Sequence, residues 1–253
     1  MSDRKILFIV EGNKDEPSLI NRIFELTDKN QKPSIYCYNT TLHTFADRLE
    51  KNYPDFDDGN TDIQLVLRDG ENNEEEREKL SQSYNDIFLI FDFEPQHHKL
   101  HFETIRKMLE YYNDSSSEGK LYINYPMIQS YKHFEKLPDD SYKDLSVTIE
   151  QCKNYKYLVE RVSKFTNLEK YNYEVLMMII THNLKKANFI SNNKYSLLSN
   201  DEYLSFDCVS IFDKQLENKS AGFVYVLNTC VFIYVDYNPT VFFKQAHKLG
   251  LDK

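Results

Sequence analysis

Carboxylates follow two short apolar segments of the sequence, and they are the residues best suited to chemistry. Glu11 comes directly after the apolar run at residues 5–10, and Asp92 and Glu94 follow a second run at residues 86–91. If both runs are neighbouring strands of a parallel sheet, their carboxyl ends meet at the edge where such sheets bind ligands. Carboxylate oxygens are the ligands that Mg²⁺ and Mn²⁺ prefer. The sequence therefore predicts a divalent-metal site centred on these three acids.

The spacing within and after each acidic segment adds detail to this site. Asp92 and Glu94 are two residues apart, so on an extended segment their side chains point to the same side. Gly12 allows a sharp turn and a close approach to a phosphate, and we predict that Gly12 and Lys14 bind substrate. Asp15 and Glu16 are predicted as further metal ligands. Acids in a first helical turn also stabilise the helix dipole, so each cluster alone is compatible with a structural role.

Basic and imidazole side chains supply further candidates. Lys132 is the candidate for stabilising the negative charge that develops in a reaction, with an ordinary surface lysine as the alternative. His133 is the candidate for contacting phosphate or acting as an acid. His97, His98 and His101 would form a different metal cluster if a helix begins there, and polar loop residues are the alternative interpretation.

Composition limits the classes of protein to consider. The net charge of −9 over 253 residues argues against a general electrostatic surface for nucleic acid, although a local basic patch is compatible with it. The four cysteines are far apart, which excludes a CxxC-type zinc pair and indicates reduced thiols in the cytoplasm. The longest apolar run, residues 223–235, is too short for a membrane span. It predicts a buried strand or helix, which periodicity does not distinguish.

Strand and helix patterns alternate through the first half of the chain. The predicted strands are residues 5–10, 34–38, 86–91 and 121–124, and the predicted helices are 15–26, 42–49, 72–82, 100–111 and a segment after Pro126 through Phe134. Residues 62–67 fit either a strand or a helix end. Such alternation predicts an α/β fold, a mainly parallel sheet flanked by helices. Helical periodicity dominates later, which predicts a domain at 1–137 and a mainly helical C-terminal region at 138–253.

The order strand–Glu11–Gly12–x–x–Asp15, followed by strand–Asp92–x–Glu94, resembles the Toprim fold of topoisomerases, primases and OLD-type nucleases. The resemblance covers about residues 4–135. It implies that Glu11 is a metal ligand or a general acid/base and that Asp92 and Glu94 form the metal-binding pair. The second acid of that pair is usually Asp, so Glu94 departs from the pattern. The segment around Gln129 is similar to one that often carries Glu in these nucleases.

The resemblance also implies a function. A chain without zinc-ribbon cysteines and with a helical extension resembles the OLD- and RloB-type nucleases of abortive-infection, anti-phage defence. We therefore expect an Mg²⁺- or Mn²⁺-dependent endonuclease that cleaves DNA or RNA, with tRNA among the candidate substrates, in the cytoplasm and away from membranes. The chain has no GxxxxGK[ST] segment. A separate ATPase subunit is thus an expected partner, and self-association into a homo-oligomer is a further expectation.

Two other functions fit parts of the sequence. Asp92-Phe93-Glu94 alone is typical of a DxD-type phosphohydrolase or transferase, but that interpretation leaves the segment at Glu11 unexplained. A non-catalytic Toprim-like subunit that binds a partner is favoured by the acidic net charge and by Gln129, since an amide is a poor base and a weak metal ligand.

Overall fold

A five-stranded sheet forms the centre of the first half of the molecule. The computed structural model describes residues 4–59, 61–97 and 100–252. The strands are β1 (Ile6–Val10), β2 (Ser34–Cys37), β3 (Asp86–Asp92), β4 (Asn113–Asp114) and β5 (Gly119–Asn124). Their spatial order is β2-β1-β3-β5-β4, and β4 alone among them is antiparallel. All five residues of β1 are buried, as expected for a parallel strand covered by helices on both faces.

Helices connect these strands and flank the sheet. They are α1 (Asp15–Thr27), α2 (Leu42–Asn52), α3 (Ile63–Arg68), α4 (Glu74–Leu80) and α5 (Phe102–Tyr111). The fold class predicted from the sequence, an α/β fold with a mainly parallel sheet, is confirmed. The arrangement is consistent with a Toprim-like fold. The segment at 62–67, which fits either a strand or a helix end by sequence, lies in helix α3 and its cap: the Asp62 carboxylate accepts a hydrogen bond from the Gln64 amide (2.7 Å) and caps the first turn.

The second half is mostly helical, as predicted. It contains α6 (Ile149–Cys152), α7 (Tyr155–Val162), α8 (Tyr173–Asn192), α9 (Asn200–Leu204), α10 (Cys208–Ser220), α11 (Ile233–Tyr237) and α12 (Pro239–Lys248). Two short strands, β6 (Ser146–Thr148) and β7 (Phe223–Tyr225), pair antiparallel. The apolar run at 223–235 is therefore both strand and helix, and its residues from Val226 to Val235 are fully buried.

The predicted helix after Pro126 is shorter than expected and has a different geometry. Ile128–Lys132 form one 3-10 turn. In an α-helix the Ile128 carbonyl would accept from the amide of residue 132. Here it accepts from Asn228 Nδ2 (2.9 Å), and Ser130 Oγ donates to the Leu227 carbonyl (3.2 Å). Contacts with a distant segment thus replace the helical pattern.

The segment at residues 226–231 joins the two halves. Leu227 and Tyr125 exchange backbone hydrogen bonds of 2.8 and 2.9 Å, and the amide of Cys230 donates to Asn124 Oδ1 (3.2 Å). These buried contacts attach the helical region to the end of β5. The proposed domain division near residue 137 stays a prediction. Within the described residues, no helix is both long and apolar enough to span a membrane.

Candidate metal centre

Three neighbouring strands place Glu11, Asp92 and Asn124 at one edge of the sheet. The Glu11 amide donates to the Ile90 carbonyl (3.1 Å), which continues the pairing of β1 with β3. The Glu11 carboxylate accepts from the Asp92 amide (3.1 Å). Asp92 is in register with Asn124, whose Nδ2 donates to Asp92 Oδ1 (3.3 Å). The carboxyl ends of the parallel strands therefore converge as expected for a ligand site.

Helix α1 adds the carboxylate of Glu16 to this edge. Glu16 lies in the first turn of α1 and is only 5% exposed. A Cβ atom built on Gly12 would lie 2.9 Å from Glu16 Oε2. The lack of a side chain at Gly12 thus gives the Glu16 carboxylate its space, a role different from the predicted approach to a phosphate.

Glu94 reaches the site by a different path from the one predicted. Strand β3 ends at Asp92, and Glu94 has a φ of +42°, in the left-handed region that is uncommon for residues other than glycine. Its amide donates to the Pro126 carbonyl (3.2 Å). The expectation that residues 92–94 continue as an extended segment was wrong. Glu94 nevertheless lies near enough to raise the pKa of both Glu11 and Asp92.

Burial raises the pKa values of all four acids, and the charges of neighbouring carboxylates raise those of Glu11, Asp92 and Glu16 further. Burial, followed by the charges of Glu94 and Glu16, raises the pKa of Glu11 to about 8, although the backbone amides of Asp92 and Leu42 lower it. Burial and the charge of Glu11 raise the pKa of Asp92 well above its ordinary value. Burial also raises the pKa values of Glu16 and Glu94. The cluster therefore holds protons or attracts a cation.

The donor set fits a hard divalent cation. Among the described residues, no lysine or arginine forms an ion pair with Glu11, Glu16, Asp92 or Glu94, although the charge of Lys156 lowers the pKa of Glu16 and that of His97 lowers the pKa of Glu94. Carboxylate oxygens are the donors that Mg²⁺ and Mn²⁺ prefer. In the parts of the chain that the structure describes, no three His, Cys, Asp or Glu side chains are arranged for metal binding. Binding would therefore require side-chain rotation within the cluster.

Asp15 differs from the other predicted ligands because it has compensating partners. Lys156 Nζ lies 2.8 Å from Asp15 Oδ2, and Gln129 Nε2 donates to the same oxygen (2.7 Å). Burial raises the pKa of Asp15, but these two hydrogen bonds and the charges of Lys156 and Lys132 bring it below its ordinary value. Asp15 is thus an ionised carboxylate at the rim of the cluster.

The remaining predicted site residues occupy three different settings. Lys132 is buried and its Nζ contacts Glu160 Oε1 (2.7 Å). His133 is also buried, with Nδ1 2.9 Å from Tyr155 Oη, and burial lowers its pKa to about 4. Lys14 is exposed at the start of α1, where its carbonyl accepts from Ser18. Of these three, Lys132 is the one whose charge acts on an acid of the site, Asp15.

The predicted histidine cluster is only partly described, because His98 lies outside the described residues. The rings of His97 and His43 stack at 5.0 Å, and His43 Nδ1 accepts from the His101 amide (3.4 Å). Burial, together with the charge of His97, lowers the pKa of His43 to about 4. His101 Nδ1 lies 3.0 Å from Glu50 Oε2. These contacts describe a packed group of rings beside Glu94.

Sequence reasoning missed two residues of the site. Asn124 hydrogen bonds to Asp92 and ends β5, so a polar residue after an apolar strand was a usable signal. Lys156 pairs with Asp15 across 141 positions of the chain, and no local pattern indicates that contact.

Comparisons of the chain with protein-family models, with curated proteins and with solved structures found no match.

Proposed function

We propose that the chain is a metal-dependent nuclease that hydrolyses phosphodiester bonds. The observation that carries this proposal is the convergence of four carboxylates, those of Glu11, Glu16, Asp92 and Glu94, at the carboxyl edge of the sheet without a lysine or arginine partner among the described residues. Bound Mg²⁺ or Mn²⁺ would polarise the phosphodiester and lower the pKa of an attacking water. Asp92, Glu16 and Glu94 would hold the cation.

The chain's own residues divide into further roles in this proposal. Glu11, with its pKa raised to about 8, holds a proton near neutral pH in the metal-free protein, and it can exchange that proton at its carboxylate. Asn124 orients Asp92 through its side-chain amide. Lys132, whose Nζ pairs with Glu160, also contributes positive charge at Asp15 and is the candidate for stabilising negative charge that develops in the reaction.

The resemblance to OLD- and RloB-type nucleases extends this proposal to a biological setting. We propose that the protein is a toxic effector of anti-phage defence that acts in the cytoplasm on DNA or RNA. A separate ATPase subunit keeps it inactive until it is triggered. A partner or local basic surface would also supply the attraction for nucleic acid that a net charge of −9 does not.

A non-catalytic, partner-binding subunit is the second candidate. The observation that favours it is the hydrogen bond from Gln129 to Asp15, because an amide and Lys156 occupy a carboxylate that a catalytic site would use. A DxD-type phosphohydrolase or transferase has less support. Glu11 contacts the Asp92 amide, and an acid pair at residues 92 and 94 alone gives no role to that contact.

Cleavage assays on the purified full chain test the proposal. Plasmid, single-stranded DNA and total tRNA are incubated with the protein in Mg²⁺, Mn²⁺ or EDTA. Metal-dependent cleavage is expected, and it is lost in Glu11→Gln and Asp92→Asn. Glu174→Gln, at an exposed position of α8, controls for the chemical change and retains cleavage.

The same preparations distinguish the second candidate. A non-catalytic subunit would be favoured by two results together. Mg²⁺ or Mn²⁺ raises the melting temperature of the wild type but not that of Asp92→Asn, and every substrate stays intact in the presence of the ATPase partner. If the protein shows no cleavage and its melting temperature does not respond to either metal, the result would contradict the metal site itself.

A further inference from the structure

Helix α7 and the residues that flank it present a basic surface in a protein of net charge −9. Four basic residues at positions 153–164 are exposed, and the segment contains a single acid, Glu160. We call this the α7 surface, and its members are Lys153, Lys156, Tyr157, Arg161 and Lys164. Lys156, Tyr157 and Arg161 lie on α7 itself, Lys153 precedes the helix and Lys164 follows it, while Tyr155 and Val159 are buried on the side of α7 that faces the protein.

An exposed aromatic side chain lies within these charges. Tyr157 is 67% exposed, and the Arg161 guanidinium carbon lies 5.7 Å from the centre of its ring. An aromatic ring beside an arginine offers two flat surfaces on which a nucleobase stacks.

The α7 surface is held next to the acid cluster. Lys156 pairs directly with Asp15, and two contacts below the helix, Tyr155 with His133 and Glu160 with Lys132, attach α7 to the 3-10 turn that follows β5. The last turn is secured by Ser163 Oγ, which donates to the Phe134 carbonyl (3.2 Å). A polyanion on this surface would therefore lie beside the cluster without any rearrangement of α7.

We propose that the α7 surface binds single-stranded nucleic acid. The backbone phosphates contact Lys153, Lys156 and Lys164, and an unpaired base stacks on Tyr157 beside Arg161. Bases in a duplex already stack on each other and leave no free face for Tyr157, so an unpaired strand or loop is preferred. Lys153, which pairs with Glu150 (2.6 Å), and Lys156, which pairs with Asp15 (2.8 Å), exchange these carboxylates for phosphates when the strand binds. This inference rests on the proposed function, because it names the substrate class of the same site.

Binding without metal tests the inference separately from cleavage. The affinity of the full chain for a labelled oligothymidine of about 20 nucleotides is measured in EDTA by fluorescence anisotropy, beside a duplex of the same length. The oligothymidine binds more tightly. The double variant Lys153→Glu/Lys164→Glu weakens binding at least about 10-fold and reduces the salt slope by about 1.4, since each lost phosphate contact contributes about 0.7.

Matched variants test whether binding depends on where the lysines lie and on the aromatic ring of Tyr157. Lys244→Glu/Lys248→Glu makes the same charge change at exposed positions of α12 and leaves binding near that of the wild type. Tyr157→Ala weakens binding on the order of 10-fold, whereas Tyr157→Phe retains it because the ring remains.

Four results would overturn the inference. Three of them are the absence of binding to the oligothymidine at low salt, an equal loss in the two double variants, and duplex binding that is as tight as single-strand binding and unaffected by Tyr157→Ala. Unchanged affinity with metal-dependent cleavage intact in Lys153→Glu/Lys164→Glu would refute the α7 surface and leave the nuclease proposal standing. Binding without cleavage would support the surface and count against the nuclease.

Discussion

Replacing Glu11 by glutamine should stabilise the metal-free protein, and increasingly so as the pH rises. Glutamine keeps an oxygen that accepts the Asp92 amide, but it removes a carboxylate whose charge is opposed by burial and by Glu94 and Glu16. Because the pKa of Glu11 is raised from 4.5 in the unfolded chain to about 8 in the folded protein, protonated Glu11 contributes its full stabilisation below pH 4.5. That contribution is lost as the pH rises towards 8.

The size of the effect follows from the pKa difference. Each unit is worth about 1.36 kcal/mol, so between pH 5 and pH 7.5 the ionisation of Glu11 costs the wild type about 3 kcal/mol of unfolding free energy. Glu11→Gln has no such ionisation and keeps this free energy. It also removes the repulsion between the charge of Glu11 and Asp92, whose pKa is raised by burial and then by that charge. The stability of the variant relative to the wild type should therefore grow by about 3 kcal/mol across this range.

Urea unfolding in EDTA at the two pH values measures this difference. Contributions of the buried histidines cancel because they are common to both proteins. Glu174→Gln, the exposed control, should show no such change. Saturating Mg²⁺ or Mn²⁺ at pH 7.5 should stabilise the wild type, by about 2.7 kcal/mol at a hundred times the dissociation constant, and should stabilise Glu11→Gln less.

Two outcomes would refute the reasoning. A Glu11→Gln protein that is less stable than the wild type at pH 7.5 would mean that the carboxylate is not under electrostatic strain. A stability difference that does not change with pH would mean that Glu11 has an ordinary pKa, so that neither burial nor the charges of Glu94 and Glu16 oppose its ionisation.

Three further perturbations test other parts of the structure. Gly12→Ala should weaken Mn²⁺-induced thermal stabilisation, because the new Cβ displaces the Glu16 carboxylate; an unchanged metal response would contradict that packing. Lys186→Ala should lower the free energy of unfolding by about 3 kcal/mol in urea titrations, because fully buried Lys186 donates to the Tyr142 carbonyl (2.8 Å) and lies over the Tyr142 ring. Lys186→Met, which fills the space, should cost less. As the pH falls from 6.5 to 5, the unfolding free energy of His133→Gln should rise by about 2 kcal/mol relative to that of the wild type. Burial lowers the pKa of His133 to about 4, so in this range His133 takes up a proton in the unfolded chain but not in the folded protein, which destabilises the wild type. A constant difference over that range would show that His133 is not held neutral.

Much of the first half could be predicted from the sequence by itself, because its signals are local. Strand β1 is a continuous apolar run, and α1 shows apolar residues at helical spacing. Once parallel strands were inferred from their alternation with helices, the convergence of Glu11 with Asp92 followed from the geometry of such sheets. Fold class and the centre of the candidate site were therefore within reach of the sequence.

What only the tertiary structure decided depends on partners far away in the chain. Asn228 Nδ2 donates a hydrogen bond to the Ile128 carbonyl and limits the predicted helix to a 3-10 turn. Glu94 adopts a left-handed conformation where its amide meets the Pro126 carbonyl, so strand periodicity fails two residues after Asp92. Lys156 neutralises Asp15 and brings the α7 surface to the acid cluster across 141 positions. Periodicity reports which face of an element is buried; the element that covers it, and the charge that it carries, are set by packing.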